Sequence, residues 1–139
     1  MVGNRSRIYT LGLGCERGCG DRELLSLAES ILHNAGEISG ALVGIYTIEQ
    51  RRHEPAILYI AEQLGLPIGC FSAEQLEAQT PRLLNPSERV FALVGCHGVA
   101  EAAALAGAGP AGRLIVGKTK SAHATAALAV RDAGRQRDQ

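Results

Sequence analysis

The sequence predicts an α/β protein: a three-layer α/β/α sandwich around a mostly parallel sheet, with an antiparallel C-terminal strand. Three observations lead there. Short apolar runs alternate with helical stripes, and each crossover must carry the chain back over a face of the sheet. The runs are apolar on both sides, as strands covered by helices on both faces are. The late segment HATAALAV (123–130) is rich in alanine, which favours helix, but alternates His123, Thr125, Ala127 and Ala129, which favours strand. Strand is the preferred reading, and helix stays open.

The elements follow in order. Arg7 to Leu13 reads as a buried strand that runs into the glycine-rich loop GLGCERGCG (12–20). Asp21 can cap the next helix, because its carboxylate accepts from exposed backbone N–H groups. Leu24, Leu25, Ala28, Ile31 and Leu32 form one helical stripe, and Gly36 is a suitable stop. Ala41 to Tyr46 reads as a second strand. Pro55 suits the first position of the following helix, where a missing N–H costs little; Ile57, Leu58, Ile60, Ala61 and Leu64 are expected to face inward before Gly65 ends it. Pro67 to Phe71 is a short third strand. Ser72 and Gln75 match a capping box for a brief helix over 73–79.

Thr80 to Asn85 reads as loop, and Asn85, Pro86 and Glu88 as the start of a helix to about Val94. Gly95 to Gly98 breaks it. Val99 to Ala106 forms an Ala-rich helix, GAGPAG (107–112) a turn, and Arg113 to Val116 a fourth strand. The polar tail at 131–139 is expected to be loose. No linker or repeat divides the chain, so 1–139 is read as one domain.

Charge excludes several function classes. Lys plus Arg equals Asp plus Glu at 14 each, so net charge gives no pull toward nucleic acid or a membrane surface. With three Tyr, two Phe and no Trp, a base-stacking platform is not expected either. Neither a signal-peptide core nor an apolar run of about 18 residues stands out, so a cytoplasmic protein is expected, with its four cysteines reduced. Attraction for an anion must therefore be local.

In a parallel sheet, ligands sit beyond the carboxyl ends of the strands. The loops to examine are 12–20, 46–54 and 117–122. In the first, Gly12, Gly14, Gly18 and Gly20 would let backbone approach a ligand at a helix N-terminus, and Arg17 adds a cation. A tight turn explains the glycines equally well. The spacing is not the dinucleotide fingerprint GxGxxG, and no acid follows at the required distance. Cys15 and Cys19 make one close pair where structural zinc needs two, so no metal is expected. A nucleophilic Cys15 is conceivable beside a helix N-terminus and Arg17; a small packed cysteine is the plainer alternative.

Residues 112–119, GRLIVGKT, match the phosphate-loop pattern GxxxxGK[ST], but the intervening residues are strand-like and no strand precedes Gly112. What survives is a set of donors for carboxylates or phosphates: Lys118, Thr119, Lys120 and Ser121. The loop TIEQRRHEP (47–55) brings Arg51, Arg52 and His53, with Glu49 and Glu54 as a candidate acid and base. A solvated charge run is its ordinary alternative. His97 and His123 complete the titratable candidates.

Taken together, GLGCERGCG, TIEQRRHEP, FSAEQL, VGCHGVAEAAAL and LIVGKTKSAHATAALA resemble, in order and from about residue 7 to 130, the cobalamin-biosynthesis family of CobE and the C-terminal domain of CbiG. The resemblance carries the family's glycine-loop motif onto Gly12, Gly14, Cys15, Arg17 and Gly18, and its mid-chain motif onto Thr47, Glu49 and Glu54. Its GVAEAAAL falls on Gly98 to Leu105, including Glu101, and its late basic motif on Lys118, Lys120 and Ser121. Cys19, Glu16, Arg51 and His53 depart from the family pattern; these departures bear on catalytic chemistry more than on ligand class.

The resemblance implies a corrin-ring pathway and a precorrin-like ligand. Its several acetates and propionates would suit a shallow cleft of amides, Arg and Lys. Under that reading Gly14, Arg17, Gly18, Thr47, Arg51, Lys118, Lys120 and Ser121 contact an anionic tetrapyrrole, no cofactor is needed, and other enzymes of the cobalamin pathway are potential partners. A second reading is a hydrolase that opens a precorrin ring lactone with loss of a two-carbon fragment, through Glu49, Glu54, Cys15 and His123. A third is a nucleotide-binding regulator built on the glycine loop.

Overall fold

The computed structural model describes residues 7–36, 38 and 40–133. Strand β1 spans Arg7–Cys15 and helix α1 Asp21–Asn34. Strand β2 (Gly40–Ile48) ends in a 3-10 turn, Glu49–Arg51, before helix α2 (Pro55–Leu64). Then come β3 (Ile68–Phe71), α3 (Ala73–Glu77), α4 (Glu88–Val94), α5 (Ala100–Ala108), β4 (Arg113–Lys120) and β5 (Ala124–Asp132).

The five strands form one sheet in the order β3-β2-β1-β5-β4. β1, β2 and β3 are parallel, and β5 is antiparallel to both of its neighbours. β4 therefore runs the same way as β1, so the carboxyl ends of four strands and the start of β5 share one end of the sheet. Helices cover both faces, which makes the expected three-layer α/β/α sandwich with its antiparallel C-terminal strand. HATAALAV is strand, as preferred.

β5 shows how composition sets the layers. Ala124, Ala126, Leu128 and Val130 face the core under α1 and α2, while Ala127 and Ala129 face α5. On that second face the two central strands carry Thr10, Gly12, Ala127 and Ala129, all small, so α5 lies close to the sheet. A Cβ at Gly12 would stand 1.9 Å from the Ala100 carbonyl oxygen, so only glycine fits there. Thr10 secures the contact from beneath: its buried hydroxyl donates to the Ala104 carbonyl at 2.7 Å. The Tyr46 ring fills the space above Gly69 and Gly107, where added Cβ atoms would come within 2.7 Å of it.

Several local expectations are corrected. Gly20, not Asp21, occupies the N-cap of α1, and no side chain caps that end. Ser87 caps α4 by accepting from the Val90 N–H, while Asn85 turns away to another partner described below. Leu58 is on the solvent side of α2, 44% exposed, because α2 covers the sheet with Ala56, Ile57 and Ile60. β4 runs four residues past Val116, so Lys118 and Lys120 belong to the strand and not to a following loop. At the C-terminus Arg131 and Asp132 pair with Ile8 and Arg7 instead of fraying, and the rest of the expected tail, 134–139, lies outside the described residues. The box at Ser72 forms as expected, with the Gln75 N–H donating to Ser72 Oγ at 3.0 Å and the Ser72 N–H to Gln75 Oε1 at 2.8 Å.

Candidate functional site

At the carboxyl end of the sheet three segments meet. The first is the loop from Cys15 to Gly20, the second the stretch 49–54, and the third the turn between β4 and β5. The Glu16 N–H donates to the His123 carbonyl at 2.9 Å, joining the first to the third. The Gly18 N–H donates to Glu54 Oε2 at 2.8 Å, and Arg51 Nε donates to the Cys15 carbonyl at 2.7 Å, joining the first to the second. Lys120 pairs with Thr125, and Thr125 with Gly14, so the basic end of β4 sits in register with the exit of β1. Arg17 and Lys118 are thus at the same end of the molecule.

The glycines divide their duties. Gly12 and Gly14 make room for packing: a Cβ at Gly14 would come within 2.8 Å of Thr125 Oγ1 and 3.2 Å of the Val99 side chain. Both are buried, so Gly14 does not reach solvent. Gly18 has φ +81°, a left-handed turn that its lack of Cβ permits. Its amide is already held by a carboxylate of the protein itself. The loop is an anion seat whose occupant is Glu54.

Other candidates sort in the same way. Thr47 is fully buried and its hydroxyl donates to the Leu13 carbonyl at 2.7 Å, which ties β2 to β1. Glu54 is 8% exposed and spent on Gly18, whereas Glu49 is exposed. Burial, then the neighbouring Cys19 and Glu54, push the Cys15 thiol up to about 12, with Arg51 as the lone opposing influence. A neutral thiol at physiological pH is a poor nucleophile. All four cysteines are free thiols, and among the described residues no group of three or more His, Cys, Asp or Glu converges to hold a metal ion.

The cations are differently placed. Arg17, Arg52 and Lys120 are exposed, and among the described residues their side chains have no ion pair. Arg51 is pinned through Nε, which leaves its two terminal nitrogens available. Lys118 is half-buried; its backbone N–H donates to Glu101 Oε2 at 2.8 Å.

Two carboxylates that the sequence reading gave no role organise this end. Glu101 is 2% exposed and accepts four hydrogen bonds: from the Leu84 and Asn85 N–H groups, from Asn85 Nδ2 and from the Lys118 N–H, all at 2.8–2.9 Å. It fastens the loop before α4 to the bulged part of β4, where the ladder with β5 shifts between Val116 and Thr119. Glu23, in the first turn of α1, accepts from the Ser121 hydroxyl, from the His123 N–H at 2.7 Å, and pairs with His123 Nδ1 at 3.0 Å. Ser121 and Glu23 are 98 positions apart, so no local pattern could have announced the pair.

A shallow groove of about 590 Å³ lies elsewhere, between α3 and the end of α5, lined in part by Phe71, Gln75, Gln79, Arg82 and Pro110. Its one cation is engaged, Arg82 donating to Gln79 Oε1 at 2.6 Å and to the Gly112 carbonyl at 2.9 Å. None of its lining residues belongs to the three segments.

Comparison with known proteins decides the family. The model for the cobalamin synthesis G C-terminus matches residues 9–129. The chain belongs to the cobalamin synthesis G C-terminus family. Within it, the chain is 53% identical over 119 residues to Protein CobE of Sinorhizobium sp, a match covering 86% of this chain and 77% of that one. It is 29% identical over 126 residues to the cobalt-precorrin-5A hydrolase of Priestia megaterium, a match that takes in 91% of this chain but 33% of the hydrolase. The solved structure of CobE, a protein from the cobalamin (vitamin B12) biosynthetic pathway, superposes with TM-score 0.81 at 33% identity and covers 94% of each chain. Family membership makes this a cobalamin-biosynthesis protein. Among the described residues no helix is long and apolar enough to cross a membrane.

Proposed function

We propose that this protein binds anionic corrin-ring precursors of cobalamin synthesis at the carboxyl end of its sheet, in the cytoplasm, and passes them between enzymes of the pathway. One observation carries the reading. Three segments far apart in sequence are hydrogen-bonded into a single rim that carries Arg17, Arg51 and Arg52, with Lys118 and Lys120 at the adjoining end of β4. Each guanidinium or ammonium can take one carboxylate of a polycarboxylated tetrapyrrole by a charge-assisted hydrogen bond. The exposure of Arg17, Arg52 and Lys120 suits a ligand that is held and released.

The test is an absorbance titration with hydrogenobyrinic acid, a metal-free corrin with free acetate and propionate groups. Binding at micromolar protein, weakened by salt, supports the reading. No spectral change and no co-elution on gel filtration would count against it.

A second reading, hydrolysis of a precorrin lactone, is favoured by the similarity to the Priestia megaterium hydrolase, of which this chain spans a third. Two of the residues it would use are otherwise engaged: Glu54 accepts from the Gly18 N–H, and the Cys15 thiol is held neutral. Loss of a two-carbon fragment, read by mass, would establish it. The nucleotide reading loses its phosphate seat, since the Gly18 amide faces Glu54.

A further inference from the structure

The rim contains one histidine held from three sides. Glu23 receives both the backbone N–H of His123 and its ring Nδ1, and the Glu16 N–H binds its carbonyl. The same carboxylate holds Ser121, so the whole turn from Ser121 to His123 is bolted to the first turn of α1. The ring itself stays accessible: its side chain is 56% exposed, and among the described residues Nε2 has no partner. An imidazole fixed through Nδ1 has one free position, and protonation decides what that position does. Neutral and donating through Nδ1, it presents a lone pair at Nε2, which repels a carboxylate. Protonated, it presents an Nε2–H and a positive charge, which attract one.

We propose that His123 is a protonation-controlled anchor for a carboxylate of the bound ligand, and that Glu23 is the positioning residue that aims and charges it. The inference rests on the corrin reading above and deepens it. The charged groups facing the ring are Glu23 from α1 and Glu16 from the loop after β1, both negative. Together they raise the proton affinity of the ring, Glu23 foremost through its hydrogen bond. That setting stabilises the protonated, cationic ring. His123 thereby joins Arg17, Arg51 and Lys120 as a contact on the rim, one whose strength depends on pH.

The experiment has two arms. In the first, the ring carbons of His123 are followed by NMR as pH is raised, in the wild type, Glu23→Gln and Glu23→Asp. Glu23→Gln keeps an acceptor for Ser121 and the His123 N–H but removes the charge; its His123 should titrate at lower pH, and Glu23→Asp should restore part of the difference. In the second arm, hydrogenobyrinic acid binding is measured across the same pH range. Wild-type affinity should fall as pH rises through the His123 transition, and in Glu23→Gln that fall should move to lower pH. His123→Gln should bind about tenfold or more weakly at low pH and lose this pH step. Binding whose pH step ignores both Glu23→Gln and His123→Gln overturns this inference and leaves the corrin reading standing. A corrin that binds at no pH overturns both.

Discussion

Glu23 and His123 stand 100 positions apart in the chain and 3.0 Å apart in space, a carboxylate in the first turn of α1 against the ring Nδ1 of a histidine in the connection between β4 and β5. This contact closes the third side of the rim. It also makes that side responsive to pH in two windows of opposite sign.

The first window is acidic. Hydrogen bonds from Ser121 and then His123 hold Glu23 at about 2, below its ordinary 4.5. A carboxylate held down in the folded state stabilises the fold above its unfolded value, and that contribution disappears as pH falls through the folded value. Wild-type melting temperature should therefore drop between pH 4.5 and 2 more steeply than that of Glu23→Gln. The histidine has the reverse sign. Its affinity for the proton is raised above the ordinary 6.5, so its contribution is complete below 6.5 and fades as pH climbs through the raised value. Thermal melts at closely spaced pH values check both; parallel wild-type and Glu23→Gln curves would remove Glu23 from the account.

Cys15 should be chemically quiet. A thiol at about 12 instead of 9.0 carries about a thousandfold less thiolate at the same pH, and thiolate is the reacting form. Iodoacetamide labelling followed by peptide mass spectrometry should modify the half-buried Cys70 well before Cys15. Equal rates would restore Cys15 as a candidate nucleophile.

Gly12→Ala should be damaging in a way that Gly20→Ala is not. The first places a methyl 1.9 Å from the Ala100 carbonyl and must push α5 off the sheet, whereas nothing lies within 4 Å of a methyl at Gly20. Overpacking of this kind costs about 1–3 kcal/mol or more, against about 1 kcal/mol or less for replacing an uncrowded N-cap glycine by alanine. Urea midpoints at constant slope measure the difference.

Removing the cations should weaken ligand binding without unfolding the protein. Arg17 and Lys120 are exposed and make no ion pair among the described residues, so Arg17→Ala with Lys120→Ala leaves packing intact. Each lost charge-assisted contact to a carboxylate is worth about 1.5 kcal/mol or more, which is about tenfold in Kd. The double variant should also show a shallower dependence on salt. Unchanged melting with unchanged Kd would take both residues off the rim.

What could be read in advance was what is local or periodic. The capping box at Ser72 spans four residues, and the helical stripes and apolar runs each declare themselves within a dozen, so the layers and the loops of interest are legible. The glycine loop was legible as a turn, but its purpose was not. Whether Gly12 and Gly14 yield to a ligand or to a helix depends on where α5 lands, nearly ninety residues later. Asp21 was a reasonable cap by residue type, yet the chain enters the helix one residue earlier, at Gly20. The segment after β2 reads as a ligand contact at Thr47 and a catalytic acid or base at Glu54; in the structure Thr47 lies within β2 and donates to the Leu13 carbonyl, and Glu54 accepts from the Gly18 N–H. The two organising acids, Glu23 and Glu101, have partners at distances of 16 to 100 positions, which no spacing rule reaches.

The central claim is that three chain segments form one receiving rim. Hydrogen–deuterium exchange with and without hydrogenobyrinic acid tests it most directly, since bound ligand shields the amides it covers. Slower exchange at 15–20, 49–54 and 118–123 together, with no change in the groove around Gln75, Gln79 and Arg82, is the result this account predicts. Protection confined to that groove, or to one of the three segments alone, would contradict it.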